Sequence, residues 1–213
     1  MLTKNVVIIN YGMGNLLSVQ RSLEKFNANV IVTNKAVDII SADRIVLPGV
    51  GSFHLAMKAL HKLDLIKPIL QAVKQNVPLL GICLGMQILF EFGEEFGYTE
   101  GLGLIAGSVK PLLNQTNSPN IKLPHIGWSS IREPHGRSWD NTILKDNFID
   151  DYMYFVHSYM ARPSDKSTII VSTDYYGIKV TGAIKLGNLY GCQFHPEKSG
   201  PCGLKIIKSF LDI

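Results

Sequence analysis

The sequence predicts an α/β fold with a mostly parallel central sheet, helices on both faces and a strand-rich second half. Short β-branched runs alternate with helical patterns along the first half, as in chains that build parallel sheets. No internal repeat or linker divides the 213 residues, so we expect one domain over residues 1–213. The apolar fraction of 46% is sufficient for a large core.

Strands are predicted where short apolar runs are bounded by polar or turn residues, and helices where apolar residues recur every three or four positions. Asn15 is suited to cap the first helix, because its side chain can accept a hydrogen bond from the first turn. The predicted strands are 6–9, 29–33, 43–47, 79–82, 108–112, 152–156, 168–172, 182–185 and 189–194. The predicted helices begin at residue 16 and span 65–74 and 204–211, and polar residues predict loops at 114–120 and 132–141.

Charge and composition argue against several functions. The formal net charge of +4 comes from 21 basic and 17 acidic residues scattered along the chain, so nucleic-acid binding is not expected. No run approaches the roughly 18 apolar residues of a membrane span, so no membrane span is expected. The apolar run before Asn10 is too short for the core of a signal peptide, so export is not expected. Three cysteines without a CxxC pair do not suggest disulfides, which favours a cytoplasmic location.

Residues 81–85 are typical of a nucleophile elbow, with Cys83 where many hydrolases have serine. A strand ends there and a helical pattern begins, so the thiol would lie near a helix N-terminus, which favours the thiolate. The N–H of Leu84 would point into the same space and could hold an oxyanion, and the flanking glycines would leave room for substrate. Alternatively, Cys83 is a small buried residue at the end of a core strand.

A base for such a nucleophile is offered by His195 and Glu197, which flank Pro196. The fixed φ of proline argues against a helix interior, and in an extended segment residues two apart lie on one face. Glu197 could then orient the imidazole of His195 and stabilise its cation. Alternatively, His195 is a surface histidine beside an unrelated glutamate. Cys83 and His195 are 112 positions apart, so only the fold can bring them together.

No metal or cofactor site is predicted. Cys192, His195 and Cys202 could supply three metal ligands, but on a strand Cys192 and His195 would face opposite sides. Gly12 and Gly14 follow a strand as in dinucleotide-binding proteins, but Leu17 stands where the third glycine is required.

Two motifs together resemble the class I, or triad, glutamine amidotransferases: Gly-Ile-Cys-Leu-Gly-Met-Gln at 81–87 and His-Pro-Glu at 195–197. Residues 10–15, 48–51, 124–128 and 154–159 resemble one branch of that family, the glutaminase subunits of imidazole glycerol phosphate synthases. The resemblance therefore covers essentially the whole chain. Asn10 departs from the aspartate usual in that branch, and the segment 129–142 is longer than usual.

The resemblance implies that Cys83 attacks the side-chain amide of glutamine, that His195 transfers protons and that Glu197 orients His195. It also implies an oxyanion hole formed by the backbone N–H groups of Leu84 and of the loop with Val50 and Gly51. The glutamine pocket that it implies is lined by Gln87, Glu95, His157 and Ser158. Each of these four could instead be an ordinary polar residue of a helix or loop.

Because free ammonia diffuses away, the resemblance further implies a partner that consumes it, a cyclase-type synthase subunit with a (βα)8-barrel fold. The expected contacts are Asn15, His125, Trp128 and Lys198. Trp128 is expected to be the main anchor, because buried aromatic residues dominate such interfaces. A Trp seen only in sequence could equally belong to the core.

Three functions remain open at this point. The resemblance favours histidine biosynthesis, in which the synthase forms imidazole glycerol phosphate and an aminoimidazole carboxamide ribotide. The departures at Asn10 and 129–142 leave open a paralogue that supplies ammonia for nucleotide-sugar amidation in surface polysaccharide synthesis. A non-catalytic binding module is the third possibility, although the presence of Cys83, His195 and Glu197 argues against it.

Overall fold

A computed structural model describes residues 4–213 of the chain, except 117, 119, 135 and 137. These four positions lie in the predicted loops 114–120 and 132–141. The strands are β1 (Asn5–Ile9), β2 (Asn29–Thr33), β3 (Arg44–Gly49), β4 (Leu79–Cys83), β5 (Phe90–Gly93), β6 (Thr99–Glu100), β7 (Ile105–Pro111), β8 (His125–Ser130), β9 (Tyr152–His157), β10 (Tyr159–Pro163), β11 (Ile169–Tyr175), β12 (Ile178–Leu186) and β13 (Leu189–Cys192). The helices are α1 (Leu16–Glu24), α2 (Ala36–Ile40), α3 (Phe53–Lys62), α4 (Ile66–Lys74), α5 (Leu84–Gln87) and α6 (Gly200–Leu211).

A seven-stranded sheet in the order β11-β12-β13-β4-β3-β1-β2 forms the centre of the fold. The five strands from β13 to β2 in this order run parallel, and only β12 and β11 at one edge pair antiparallel. β3 and β4 are buried along their whole length, as expected for parallel strands whose two faces are covered. The predicted mostly parallel sheet is confirmed.

Helices cover both faces of this sheet, as predicted. In β1, Val7 and Ile9 belong to a core that includes residues of α2, α3 and α4, whereas Val6 and Ile8 belong to a second core with α1 and α6. Alternate residues of a strand point to opposite faces, so the two cores lie on opposite sides of the sheet. In the described part of the chain, no helix is long and apolar enough to cross a lipid bilayer.

The helical pattern predicted after Cys83 is wrong beyond its first turn. The helix α5 ends at Gln87, and the apolar residues that follow form β5. Strand pairing outweighs the helical spacing here, because β5 pairs with β6 and β7 in a second sheet, β10-β7-β5-β6. Five further elements form without having been predicted: α2, α3, β6, β8 and β10.

β8 and β9 pair antiparallel as a two-stranded unit, the β8–β9 ribbon, whose two faces differ. Its inner face carries buried side chains such as His125 and Phe155. Its outer face carries Ile126, Trp128 and Tyr152, which are 59%, 54% and 58% exposed. The ribbon therefore presents an apolar outer face to solvent.

Gly85, in the single turn of α5, packs directly against β3. A Cβ at this position would lie 1.7 Å from the carbonyl oxygen of Leu47, so the backbone would have to move. We expect Gly85→Ala to reduce the free energy of unfolding by about 3 kcal/mol or more, measured by urea denaturation. Gly103→Ala is the control, because a Cβ there would have no atom within 4 Å and only the positive φ of 62° would be strained. We expect this variant to lose about 1 kcal/mol of the free energy of unfolding. Equal losses in the two variants would contradict this packing.

Candidate active site

Three neighbouring strands bring the predicted catalytic groups to one edge of the sheet. β13, β4 and β3 are parallel neighbours, with Cys192 beside Ile82 and Gly49 beside Cys83. Because parallel strands end at the same edge, Cys83 meets the loop after β3 and the segment after β13. That segment contains His195, so the fold closes the gap of 112 positions between the two residues.

Cys83 lies in a sharp turn between β4 and α5. Its φ of 55° and ψ of −111° belong to a region that L residues rarely adopt, at a cost of about 1–3 kcal/mol. Close packing enforces the turn, because a Cβ at Gly81 would lie 2.7 Å from the oxygen of Gly85, and one at Gly85 would overlap Leu47. The expectation that these glycines make room for substrate is therefore corrected: the backbone itself needs the space.

His195 and Glu197 form a buried pair. His195 Nδ1 lies 2.8 Å from Glu197 Oε1, and the two side chains are 2% and 1% exposed. The segment is a 3₁₀ turn, Pro196–Lys198, and not an extended strand, yet the expected contact is present. The N–H of His195 donates to the carbonyl of Tyr154 on β9 at 2.9 Å, which holds the turn against the β8–β9 ribbon.

The charge on His195 depends on its two neighbours. Burial by itself lowers the pKa of His195, but the side chains of Cys83 and Glu197 raise it, and the net effect is an increase. The contacts with Cys83 and Glu197 therefore favour the protonated imidazole of His195. Nε2 of His195, the nitrogen not used by Glu197, is buried and makes no hydrogen bond of good geometry within the described residues. This nitrogen is free to exchange a proton with Cys83.

Cys83 opens into a cleft of about 310 Å³, a volume typical of small-molecule sites. The residues predicted for the oxyanion hole and the glutamine pocket all line this cleft: Val50, Gly51, Leu84, Gln87, Glu95, His157 and Ser158. Pro124, Val156 and Tyr159 also line it. Their roles in binding and catalysis remain predictions.

Glu95 connects the cleft to the loop that follows β3. Its Oε2 accepts a hydrogen bond from the N–H of Phe53 at 2.6 Å, at the start of α3. A carboxylate is favoured at a helix N-terminus, where N–H groups are free and the dipole is positive. Glu95 therefore holds the helix start that directly follows Val50 and Gly51.

Gln193, which the sequence analysis did not identify, contacts the sulfur of Cys83. Its Nε2 lies 3.7 Å from Cys83 Sγ, and its Oε1 accepts from Gln87 Nε2 at 2.9 Å. Gln87 Nε2 also donates to the carbonyl of Tyr159 at 3.0 Å, so both of its N–H groups are used within the protein. The available signal was a polar residue inside the apolar run 189–194.

His157 and His125 form a buried pair beside the cleft. His157 Nδ1 lies 2.8 Å from the carbonyl oxygen of Tyr159, which can only accept, so Nδ1 carries the proton. His157 Nε2 then accepts from His125 Nδ1 at 3.1 Å, and His125 Nε2 accepts from the hydroxyl of Ser129 at 2.9 Å. Burial lowers the pKa of His157 to about 3 and that of His125 to about 4, so both rings are neutral at pH 7.

The residues predicted to contact a partner differ in accessibility. Trp128 is 54% exposed, which excludes its interpretation as a core residue, and Lys198 is exposed beside the triad. Asn15 caps α1 as predicted. His125 is 1% exposed and stacked between aromatic rings, so the prediction that it contacts a partner at the surface is wrong for this side chain. Its position on the inner face of the β8–β9 ribbon is the reason.

The three cysteines are free thiols. Cys192 is fully buried, and burial raises the pKa of its thiol, whereas Cys202 is half-buried on α6. The described residues contain no group of three or more His, Cys, Asp or Glu side chains arranged to hold a metal ion.

The neutral pair of His125 and His157 predicts a pH-dependent stability. Both pKa values lie below the ordinary 6.5, so the unfolded chain binds more protons than the folded chain at acidic pH. The stabilising effect of keeping these rings neutral is therefore fully present above pH 6.5 and is lost as the pH falls towards about 4. We expect His125→Gln to reduce the decline of the free energy of unfolding between about pH 7 and 5, measured by urea denaturation.

The exposed His54 provides the control. His54→Gln should show the same decline as the wild-type chain, because it changes a histidine on α3 and leaves the buried pair of His125 and His157 intact. An identical decline in all three proteins would contradict the neutral buried pair.

Comparison with known proteins places these residues in a family. The glutamine amidotransferase class-I family model matches residues 7–213. Imidazole glycerol phosphate synthase subunit HisH 1 of Legionella pneumophila (strain Lens) is 47% identical over 211 residues, which cover 98% of this chain and 99% of that protein. Subunit HisH of Geobacillus sp. (strain WCH70) is 42% identical over 97% of this chain and 95% of its own length.

Among solved structures, PurLQS from Thermotoga maritima matches with a TM-score of 0.73. The match covers 99% of each chain at 17% sequence identity, so it supports the fold alone. The family match and the two full-length relatives extend well beyond the catalytic motifs. The chain therefore belongs to the class-I glutamine amidotransferase family.

Proposed function

We propose that this chain is the glutaminase subunit of an imidazole glycerol phosphate synthase in histidine biosynthesis, acting as one domain over residues 1–213. It hydrolyses glutamine to glutamate and ammonia with the triad Cys83, His195 and Glu197. One observation carries the assignment of the triad. Cys83, in its strained turn at the cleft, raises the pKa of the buried His195, which is itself paired with the carboxylate of Glu197.

The reaction begins when Cys83 transfers its proton to Nε2 of His195. The thiolate attacks the side-chain amide carbon of glutamine, forming a C–S bond and moving one C=O electron pair onto oxygen. His195 returns the proton to the amide nitrogen, the C–N bond breaks, and ammonia leaves a glutamyl thioester. Water then loses a proton to His195 and attacks the thioester, which releases glutamate and regenerates Cys83. Glu197 orients His195 and stabilises its cation throughout.

The negatively charged oxygen in both steps requires preorganised N–H donors. Leu84 is the first residue of α5, and N–H groups in a first turn have no intrahelical acceptor. Because α5 has a single turn, its contribution is this local N–H and not the dipole of a long helix. We assign the second donor to the loop of Val50 and Gly51, where a φ of 105° at Gly51 is a conformation that suits glycine.

The cleft contains side chains that can bind the α-ammonium group and other polar groups of glutamine. One oxygen of Glu95 is bound to the N–H of Phe53, and we assign the other to the α-ammonium group of the substrate. Gln87 has both N–H groups in use, so it contacts the substrate through its carbonyl oxygen. Both ring nitrogens of His157 are also in use, so this residue shapes the wall of the pocket. Ser158 beside it supplies a hydroxyl.

Ammonia released into water would become protonated and diffuse away, so the synthase partner has to lie against this chain. We propose a cyclase-type subunit with a (βα)8 barrel, in a cytoplasmic complex. The outer face of the β8–β9 ribbon is apolar and exposed around Trp128, and Val156 of the same ribbon lines the cleft. A partner bound to this face would lie next to the point of ammonia release. Asn15 and Lys198 are further proposed contacts.

We expect Cys83→Ala to abolish glutamate release from glutamine, because no thioester can form, and to preserve ammonia-driven synthesis by the complex. Glutamate is measured with the purified chain alone, and with the barrel subunit of the same genome together with the histidine-pathway nucleotide that this subunit converts. Cys202→Ala is the control, because it removes a half-buried thiol outside the residues that line the cleft, and it should keep the wild-type rate.

Undiminished glutamate release by Cys83→Ala would refute the assigned nucleophile. Loss of the ammonia-driven reaction as well would show that the substitution acts through folding or assembly. Stimulation only by a barrel partner of nucleotide-sugar amidation would keep the glutaminase and assign it to the other pathway.

We expect Trp128→Ala to weaken binding of the barrel subunit by at least about 2 kcal/mol, because a large aromatic anchor is lost. The free energy of unfolding should change little, since the side chain is 54% exposed in the free chain. Affinity is measured by isothermal titration calorimetry. Val37→Ala is the control, because Val37 is 67% exposed on α2, which packs on the opposite face of the central sheet from β9. Equal affinities for both variants would exclude the ribbon as the main interface.

A further inference from the structure

Gln193 contacts the sulfur of Cys83 but lies outside the two motifs, 81–87 and 195–197, that carry the resemblance to the family. It directly follows β13 and lies two positions before His195, which precedes the 3₁₀ turn Pro196–Lys198. Its side chain is 0% exposed, and its Nε2 lies 3.7 Å from Cys83 Sγ. A fully buried amide costs free energy unless both of its ends are hydrogen-bonded, so these contacts determine how it is oriented.

The orientation of this amide follows from one backbone carbonyl. The oxygen of Tyr159 can only accept, so the group 3.0 Å away on Gln87 has to be its nitrogen, Nε2. Gln87 Nε2 then donates its second N–H to the group 2.9 Å away on Gln193, which has to be the oxygen. The nitrogen of Gln193 is therefore the end that faces the sulfur. Exchanging the oxygen and nitrogen positions of either side-chain amide would place two acceptors or two donors against each other.

A second group close to the sulfur of Cys83 is a backbone carbonyl, which favours a different protonation state of the sulfur than the N–H of Gln193 does. The carbonyl oxygen of Val156 lies 3.8 Å from Sγ and can accept a hydrogen bond only from the neutral thiol. The N–H of Gln193 can donate to the sulfur in either state, but it binds the negatively charged thiolate more strongly. The two contacts thus favour different protonation states of the same atom.

We propose that Gln193 is a further catalytic residue, whose N–H group, oriented by Gln87 and the carbonyl of Tyr159, stabilises the attacking thiolate of Cys83 against the opposing carbonyl of Val156. The inference rests on the proposed role of Cys83 as the nucleophile. In the reaction, no covalent bond to Gln193 forms or breaks. Its hydrogen bond to sulfur strengthens when the thiolate forms and weakens when the C–S bond of the thioester forms.

The test is the pH profile of Cys83 alkylation by iodoacetamide in the full chain, read by mass spectrometry of the Cys83 peptide. This readout does not require glutaminase activity, so its failure and that of the proposed function can be distinguished. Gln193→Met removes the N–H donor at similar volume. Gln193→Glu keeps an oxygen that can accept from Gln87 and replaces the donor with a second oxygen. Gln71→Met, an exposed position on α4, is the control.

We expect the midpoint of the alkylation profile to rise by about one pH unit or more in both Gln193 variants, as for the loss of one charge-assisted hydrogen bond. The kcat for glutamate release at pH 7 should fall about tenfold with little change in KM, because Gln193 does not line the cleft. An unchanged midpoint in either folded variant would overturn the inference and leave the proposed function intact. A rise in KM alone would equally overturn it, since that result assigns Gln193 to the shape of the pocket.

Discussion

The left-handed backbone of Cys83 is the constraint on which the geometry of the site depends. A side chain that continued the pleat of β4 would point into one of the two cores, whereas the turn directs the sulfur to the edge where β3 and β13 also end. The conformation persists because Gly81 and Gly85 allow the turn to pack against itself and against Leu47. Its cost of about 1–3 kcal/mol is small beside the burial of two cores. The orientation of the Cys83 sulfur thus depends on the packing of β3 and β4 in the central sheet and not on Cys83 alone.

The carbonyl of Tyr159 is a second fixed point, because it accepts hydrogen bonds from both Gln87 and His157. On one side the hydrogen bonds continue through Gln193 to the sulfur of Cys83. On the other side they continue through His125 to the inner face of the β8–β9 ribbon. The cleft and the ribbon therefore share one hydrogen-bonded anchor, and the proposed partner surface is the opposite face of that same ribbon.

Much of the fold could be predicted, because burial and local periodicity act over a few neighbouring residues. The β-branched runs that became β1 and β2, and the cap at Asn15, follow from sequence alone. The single turn after Cys83 could not be predicted, since pairing of β5 with distant strands overrides its helical spacing. The burial of His125 depends on the register of β8 against β9. Gln193 escaped notice because its proposed role depends on an orientation that Gln87 and the carbonyl of Tyr159 fix.

Covalent labelling by a glutamine analogue with a diazoketone in place of the side-chain amide tests the central claim most directly. A proton from His195 should add to the diazo carbon, and the thiolate that attacks glutamine should then displace N₂ from that carbon, which leaves a stable thioether read by peptide mass. We predict one label per chain on Cys83, prevented by excess glutamine and much slower in His195→Ala. Labelling of Cys202 instead, or labelling of Cys83 that glutamine does not prevent, would contradict the assignment of the cleft as the glutaminase site.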